Sequence, residues 1–357
     1  MATLKLNKKK YDYLVFIGRF QPAHNAHIEI IREALSRANE VIICIGSAFQ
    51  PRTPKDPFTA AERATMIGRA FSDEEVSRLN YAYIADRRYN DQQWALDIQS
   101  NVDQIANIDN PSIGIIGHHK DQSTFYLDMF PQWDFVSIDN IHDLHATTIR
   151  DYYFNSKWED EEDGTDVFVE MCQDHLDEGI FNHLLTFRES PEYKILREEF
   201  SFIEQYKSQW ADSPYPPTFV TCDGVVVQSG HLLLVQRRAA PGKGLWALPG
   251  GFVDQGEKIE NAVFRELREE TKLKVPTPVL RGSVKSSKVF DHPGRSLRGR
   301  TITHAYLIEL NPGPLPAVKG GDDAAKAKWI PISEVMNMSE KLFEDHADII
   351  NYFLGRV

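Results

Sequence analysis

The sequence predicts two domains of different class, a parallel α/β domain followed by an α+β domain. Three observations carry this. The chain has 357 residues, more than the roughly 100–200 of one typical core. In its first half, short continuous apolar runs alternate with helical patterns, as in a parallel sheet covered on both faces. In its second half, paired strand-like runs and one long helix replace that alternation.

"YLVFI" (Tyr13–Ile17) reads as the first buried strand and "NAHIEIIREALSRA" (Asn25–Ala38) as the helix behind it. "EVIICIG" (Glu40–Gly46) is the second strand, and a loop rich in Pro and basic residues follows. "TAAERATMIGRAF" then opens with Thr59 and Glu62 in capping-box spacing. "YAYIAD" (Tyr81–Asp86), "SIGIIG" (Ser112–Gly117) and "FVSID" (Phe135–Asp139) continue the sheet. The acidic run "WEDEEDGTD" reads as a solvated surface segment. "DVFVEMCQDHLDEGIFNHLLTF" (Asp166–Phe187) reads as helical and closes a first domain of residues 1–187. Residues 188–213 are mixed and charged and are expected to be a linker, with "SPYPP" (Ser213–Pro217) at the boundary. The second domain, residues 214–357, opens with two β-rich runs around "QSG", a hairpin signal.

Composition narrows the function classes. A formal net charge of −12 argues against a nucleic-acid coat or a basic membrane patch, though not against a local phosphate pocket. The three cysteines, Cys44, Cys172 and Cys222, form no CxxC pair and read as reduced core residues. No apolar stretch approaches the ~18 residues that span a bilayer, and no hydrophobic leader core follows the basic "MATLKLNKKK". A cytoplasmic protein with neither nucleic-acid nor membrane partners is expected.

The helix "EKIENAVFRELREETKL" (Glu257–Leu273) carries a contradiction. At about 100° per residue, Glu266 and Glu270 share the face of Ile259, Ala262, Val263 and Leu273, with Glu269 at its edge. Buried carboxylates without partners are expensive, and like charges three and four apart repel. An oxygen-seeking divalent cation removes both costs; Mg²⁺ is the natural choice and Mn²⁺ the alternative. The competing account is an exposed helix on which Arg265 and Arg268 pair with these acids.

The same residues resemble the Nudix box: Gly251, Glu257, Arg265, Glu266, Leu267, Glu269, Glu270 and Leu273 match, and Lys272 stands at the motif's final glycine. "GLWALPGG" before the box is also similar to that family. The resemblance implies hydrolysis of a nucleoside diphosphate linked to another group. Glu266, Glu269 and Glu270 would hold metal, Glu269 would also be catalytic, and Arg265 would orient Glu257. "HPGRSLRGRTITHAY" (His292–Tyr306) is similar to a stretch of Nudix proteins that act on ADP-ribose, which makes Arg298 and Arg300 substrate-binding candidates. A solvated loop is the alternative for these two and for Arg295.

"GRFQPAHNAH" (residues 18–27) poses the question for the first half. A zinc site needs more ligands than His24 and His27; His118, His119, His142 and His145 are not arranged with acids or cysteines to complete one. A satisfied histidine at a helix start is the plain alternative for His27. A strand-end glycine beside a helix N-terminus instead suits a phosphate. "HNAH" resembles the HxGH signature of the nucleotidyltransferase superfamily, with Ala26 for glycine, and "HATTIRDYY" (His145–Tyr153) resembles its second signature. "YNDQQW" (Tyr89–Trp94) and "IIGHHKD" (Ile115–Asp121) are similar to stretches of nicotinamide mononucleotide (NMN) adenylyltransferases.

Together these match the bifunctional NMN adenylyltransferase/Nudix hydrolase family, which implies a Rossmann-like nucleotidyltransferase domain, then a Nudix domain. The resemblance implies catalytic roles for Arg19, His24, His27 and Arg150. It implies ATP contacts from Gly18, Phe20, Gly46, Ser47, Gly117, Thr147 and Thr148, and NMN contacts from Asp86, Asn90 and Trp94. Arg52, Lys55 and Arg63 are weaker phosphate candidates, with surface charge as the alternative. The expected substrates are ATP, NMN and ADP-ribose. The competing function is adenylyl transfer to another phosphorylated acceptor, with the Nudix-like half acting as an ADP-ribose sensor.

Overall fold

Chain entry into the first sheet follows from an apolar run that no helix period interrupts. In the computed structural model, which describes residues 10–117, 127–138, 145–155 and 166–355, that run is strand β1 (Tyr11–Gly18). Helix α1 (Asn25–Arg37) leads into β2 (Ala38–Ala48). Helices α2 (Ala60–Gly68) and α3 (Asp73–Val76) precede β3 (Leu79–Ala85), and α4 (Asp91–Ile105) precedes β4 (Ile113–Gly117) and β5 (Asp134–Ser137). The expected capping box starts α2: the Glu62 amide donates to Thr59 Oγ1 at 3.2 Å, and the Thr59 amide donates to Glu62 Oε2 at 2.8 Å.

Among the described residues the strands form one parallel sheet in the order β3-β2-β1-β4-β5. The order reverses between β1 and β4, so their carboxyl ends flank the crevice where such sheets take ligands. Gly18, Gly46 and Gly117 all stand at that edge. Val15, Ile17, Ile42, Cys44, Ile84 and Ile115 pack under α4, through Ile98 and Val102, as a core with almost no exposure.

Helices α5 (Ala146–Asn155), α6 (Val167–Cys172) and α7 (Glu178–Arg188) follow. The sequence predicts one continuous helix over residues 166–187. The chain instead breaks after Cys172, and Asp177 starts α7 by accepting from the Gly179 amide at 2.9 Å. The segment read as a linker holds helix α8 (Pro191–Ser208). The chain divides into two compact units, Met1–Arg197 and Glu198–Val357, so the division falls inside that helix.

In the second unit β6 (Thr218–Gln228) and β7 (His231–Arg237) form the expected hairpin. Ser229 and Gly230 both have positive φ (47° and 74°), the tight turn that matches strand twist. Strands β8 (Trp246–Ala247) and β9 (Gly250–Phe252), helices α9 (Ile259–Thr271) and α10 (Thr277–Gly282), and strands β10 (Val284–Phe290), β11 (Arg300–Glu309) and β12 (Ala324–Pro331) follow; α11 (Ile332–Val335) and α12 (His346–Leu354) end the described chain. The described strands make a mixed sheet in which β11 and β6 are parallel and the other pairs antiparallel.

Helix α9 buries Ala262, Val263, Phe264 and Leu267 against it. Lys272 ends α9 at φ 53°, the left-handed position that a glycine fills without strain. All three cysteines are free and buried. Among the described residues no helix is long and apolar enough to cross a membrane. The acidic run at residues 158–165, His118, His119 and His142 lie outside the described residues.

Candidate active sites

The first site is built on the turn after β1. Gly18 is required there: a Cβ would come 2.7 Å from the Phe20 ring. Phe20 itself has φ 53° and is buried, its ring edge-on to His27 at 5.0 Å. His24 is the N-cap of α1, and its amide donates to His27 Nδ1 at 3.3 Å. The two imidazole rings lie 3.9 Å apart. Both are thus fixed over a helix N-terminus, where orphan amides favour an anion. Ala26 sits within the first turn of α1, where helical φ suits alanine better than glycine.

Two cross-links hold the turn, and a third joins the neighbouring strand ends. The Arg150 guanidinium donates to the Gln21 carbonyl at 2.6 Å and to Thr147 Oγ1 at 3.2 Å, tying α5 to the turn. The Gln21 side chain exchanges two bonds with the Phe58 backbone, at 2.9 and 3.0 Å. Ser47, at φ 50°, donates its amide and hydroxyl to Asp86, which fixes the end of β2 to the end of β3.

Burial lowers the pKa of Lys55, and Arg19 and Arg88 push the same way. Burial also lowers that of Arg150, and again Arg19 contributes. Lys55 and Arg150 therefore both feel the charge of Arg19, a cationic grouping that suits a polyanion. Gly18, Arg19, Phe20, His24, His27, Gly46, Ser47, Asp86, Thr147 and Arg150 are thus drawn to one edge of the sheet. Asn90 caps α4, accepting from the Gln93 amide at 3.0 Å, and Trp94 stands in the first turn of that helix, 6.2 Å from the Phe130 ring. Thr148 lies in the first turn of α5 and Gly117 at the end of β4.

Arg63 departs from the surface-charge alternative. It is 1% exposed and donates to the carbonyls of Arg19 (2.6 Å), Gly46 (2.6 Å) and Ser47 (3.0 Å). It is a strut under the site, spent on backbone. Replacing it (Arg63→Met) leaves buried carbonyls unpaired and should cost about 3 kcal/mol of unfolding free energy in urea titration. Arg52 is likewise committed, to Glu62 at 2.6 Å.

The second site lies under α9. Residues of β6, β7, β9, α9 and the segment before α12 line a cavity of about 430 Å³ that includes Asp223, Arg237, Gly250, Glu266, Glu270 and Arg298. Glu270 is 8% exposed, and its carboxylate accepts from the Gly250 amide at 3.0 Å. Burial, aided by the Glu266 charge, pushes its pKa up to about 8; burial also raises that of Glu266. Gly250 and Gly251 leave room for this: a Cβ at Gly251 would come 2.5 Å from Glu266 Oε1, and one at Gly250 2.1 Å from the Cys222 carbonyl.

Arg265 gathers the other acids, donating to Glu257 (3.0 Å), Glu266 (2.8 Å) and Glu269 (3.0 Å). The sequence expects Glu266, Glu269 and Glu270 to converge as metal ligands. Among the described residues no such group of three is drawn together, because Arg265 holds two of them and Gly250 the third. An all-oxygen donor set on a buried, protonation-prone carboxylate nevertheless fits a hard divalent ion.

Of the arginines after β10, Arg298 lines the cavity, with its guanidinium 5.2 Å from the Phe252 ring centre. Arg300 does not; it is held by Asp291. Arg295 is not in a solvated loop but forms a fully buried pair with Asp345, at 2.8 and 2.9 Å. Sequence reasoning missed Asp223, Arg237 and His346. His346 accepts from the Leu248 amide at 2.8 Å, and Asp223 accepts from Thr303 Oγ1 at 2.5 Å. Their signal was slight: an acid inside a strand, and "EDH" ahead of an apolar helix.

A parallel sheet with a cationic turn at its switch point, joined to a carboxylate helix over a mixed sheet, defines a nucleotidyltransferase-like unit followed by a Nudix unit. Family models agree: Cytidylyltransferase-like over residues 15–133 and NUDIX domain over 218–353. A nicotinamide/nicotinic acid mononucleotide adenylyltransferase of Acinetobacter baylyi is 38% identical over 192 residues, 54% of this chain and 94% of that protein. An ADP-ribose pyrophosphatase of Methanocaldococcus jannaschii is 36% identical over 135 residues, 38% of this chain and 72% of that protein. A crystal structure of a bifunctional NMN adenylyltransferase/ADP ribose pyrophosphatase from Francisella tularensis, complexed with AMP and a Mn ion, matches with TM-score 0.86 and 37% identity, over 96% of this chain and 98% of that one. The chain belongs to the bifunctional NMN adenylyltransferase/ADP-ribose pyrophosphatase family.

Proposed function

We propose that the chain is a two-site enzyme that joins NMN to ATP, giving NAD and pyrophosphate, and splits ADP-ribose to AMP and ribose 5-phosphate. The observation that carries this reading is the presence in one chain of a cationic turn at a sheet switch point and a carboxylate-lined cavity under the Nudix box.

At the first site the 5′-phosphate of NMN attacks the α-phosphorus of ATP. That phosphate is largely ionised at neutral pH, its second pKa being about 6, so no general base is needed. The residues position reactants and spread charge. His24 and His27 face the triphosphate over the start of α1, with Arg19 and Arg150 beside them. Thr147, Thr148, Gly18, Phe20, Gly46, Ser47 and Gly117 complete the ATP side. Asp86, Asn90 and Trp94 form the acceptor side, and Trp94 stacks on the nicotinamide ring.

At the second site Glu266, Glu269 and Glu270 would hold Mg²⁺ or Mn²⁺. Such an ion supplies charge to polarise the pyrophosphate and an activated water. Arg265 keeps Glu257 in place and supplies to Glu266 and Glu269 the positive charge that a bound cation would supply in its stead. Arg237 and Arg298 offer positive charge to the diphosphate. The Nudix reading as a sensor loses ground because the box acids are all present.

The Glu270 shift sets a pH signature. Its folded pKa lies above its ordinary value of 4.5, at about 8. Its protonated form therefore adds stability that is full below about pH 4.5 and lost as pH rises through 8. Metal-free protein should show a melting temperature that declines over this window, and saturating Mg²⁺ should flatten the decline; equal slopes with and without Mg²⁺ would count against Glu270 as a ligand. A substrate panel tests the activities: NMN, FMN and pantetheine phosphate as acceptors with ATP, and ADP-ribose and NAD as diphosphates. NMN and ADP-ribose should be consumed and NAD left largely intact.

A further inference from the structure

The segment "LPGG" (Leu248–Gly251) leads from β8 into β9 and carries the amide that meets Glu270. It is held residue by residue. The Leu248 amide donates to His346 Nδ1 at 2.8 Å, the Gly224 amide donates to the Pro249 carbonyl at 2.8 Å, and the Gly250 amide donates to Glu270 at 3.0 Å. Little slack is left between these anchors, since a Cβ at Gly250 would come 2.1 Å from the Cys222 carbonyl and 2.7 Å from Asp223 Oδ1. Leu248 is 1% and His346 5% exposed, so bulk water does not reach their bond, and a buried amide needs an acceptor.

The imidazole is fixed in turn. An amide N–H can only donate, so Nδ1 is the acceptor and the ring proton sits on Nε2, 3.7 Å from Asp223 Oδ1. Asp223 accepts from Thr303 Oγ1 through its other oxygen. Asp345, the residue before His346, forms the buried pair with Arg295 and thereby anchors the start of α12. Metal ligands depend on such supports to hold their orientation. Resting on the metal-holding reading above, we infer that His346 is a positioning residue of the hydrolase: its Nδ1 fixes the Leu248–Gly250 segment, and the Gly250 amide then aims the Glu270 carboxylate at the divalent cation. Without that acceptor the Leu248 peptide turns to find another, and the Gly250 amide, two residues on, moves with it.

The test follows Mn²⁺ binding to the full, nucleotide-free chain by electron paramagnetic resonance, beside steady-state hydrolysis of ADP-ribose with Mn²⁺. The relevant site is the one that Glu270→Gln abolishes. His346→Leu should weaken Mn²⁺ at that site about tenfold or more and lower kcat for ADP-ribose, with KM changed far less. His346→Asn, whose side-chain oxygen takes the place of Nδ1, should stay close to wild type in both readouts. His346→Gln, whose amide reaches instead to the position of Nε2, should behave like the leucine variant. A merely structural histidine would make the two polar variants alike, and their comparison decides the matter even if His346→Leu does not fold. Wild-type Mn²⁺ affinity in His346→Leu or His346→Gln, or equal loss in His346→Asn and His346→Gln, overturns the inference while leaving the metal-holding reading standing. A wild-type chain with no Mn²⁺ site that depends on Glu270 overturns both.

Discussion

Glu270→Gln lowers ADP-ribose hydrolysis about a hundredfold or more and leaves NAD synthesis at its wild-type rate. Even outer partners of metal ligands change activity by roughly 10–100-fold, and Glu270 is expected in the inner set. The substitution is nearly isosteric. Its amide can still accept from the Gly250 amide, which now bonds the carboxylate at 3.0 Å. What is lost is the negative charge that the buried position holds in reserve, its carboxyl pKa standing at about 8. Above about pH 8, where the metal-free carboxyl is ionised, stability should not fall, because a neutral amide costs less to bury than a carboxylate. Steady-state assay of both reactions on one preparation reads the effect; an ADP-ribose rate within a few-fold of wild type would remove Glu270 from the metal set.

Arg150→Ala lowers NAD synthesis by about two to three orders of magnitude, the range for losing a placed donor to developing charge, and spares hydrolysis. Arg150 both carries charge to the strand ends and holds the Gln21 carbonyl at 2.6 Å. Arg150→Lys keeps the charge but not the fork that also reaches Thr147, so it should recover only part of the rate. A kcat/KM for NMN and ATP unaffected by Arg150→Ala would contradict its role.

The parallel sheet was legible because β1, β2 and β4 are continuous apolar runs whose burial needs helices on both faces. The acids of α9 were legible because their spacing places charge on an apolar stripe. Arg63 was not, since nothing in "AAERAT" distinguishes a guanidinium turned inward to three carbonyls from one in solvent. The extent of α8 was missed because its face is mixed, with Glu199 half-buried and Phe202 exposed. Arg300 and Arg298 are two residues apart on one run, yet only Arg298 lines the cavity; that choice depends on Asp291, which no motif marks.

The central claim is that one chain makes one pyrophosphate bond, that of NAD, and breaks another, that of ADP-ribose. ³¹P NMR of the purified chain with Mg²⁺, NMN, ATP and ADP-ribose in one tube follows every phosphorus at once. The account predicts that NAD and pyrophosphate grow in while ADP-ribose gives way to AMP and ribose 5-phosphate, with the NAD signal persisting after ADP-ribose is gone. NAD that never forms, or that is cleaved as fast as ADP-ribose, would contradict it.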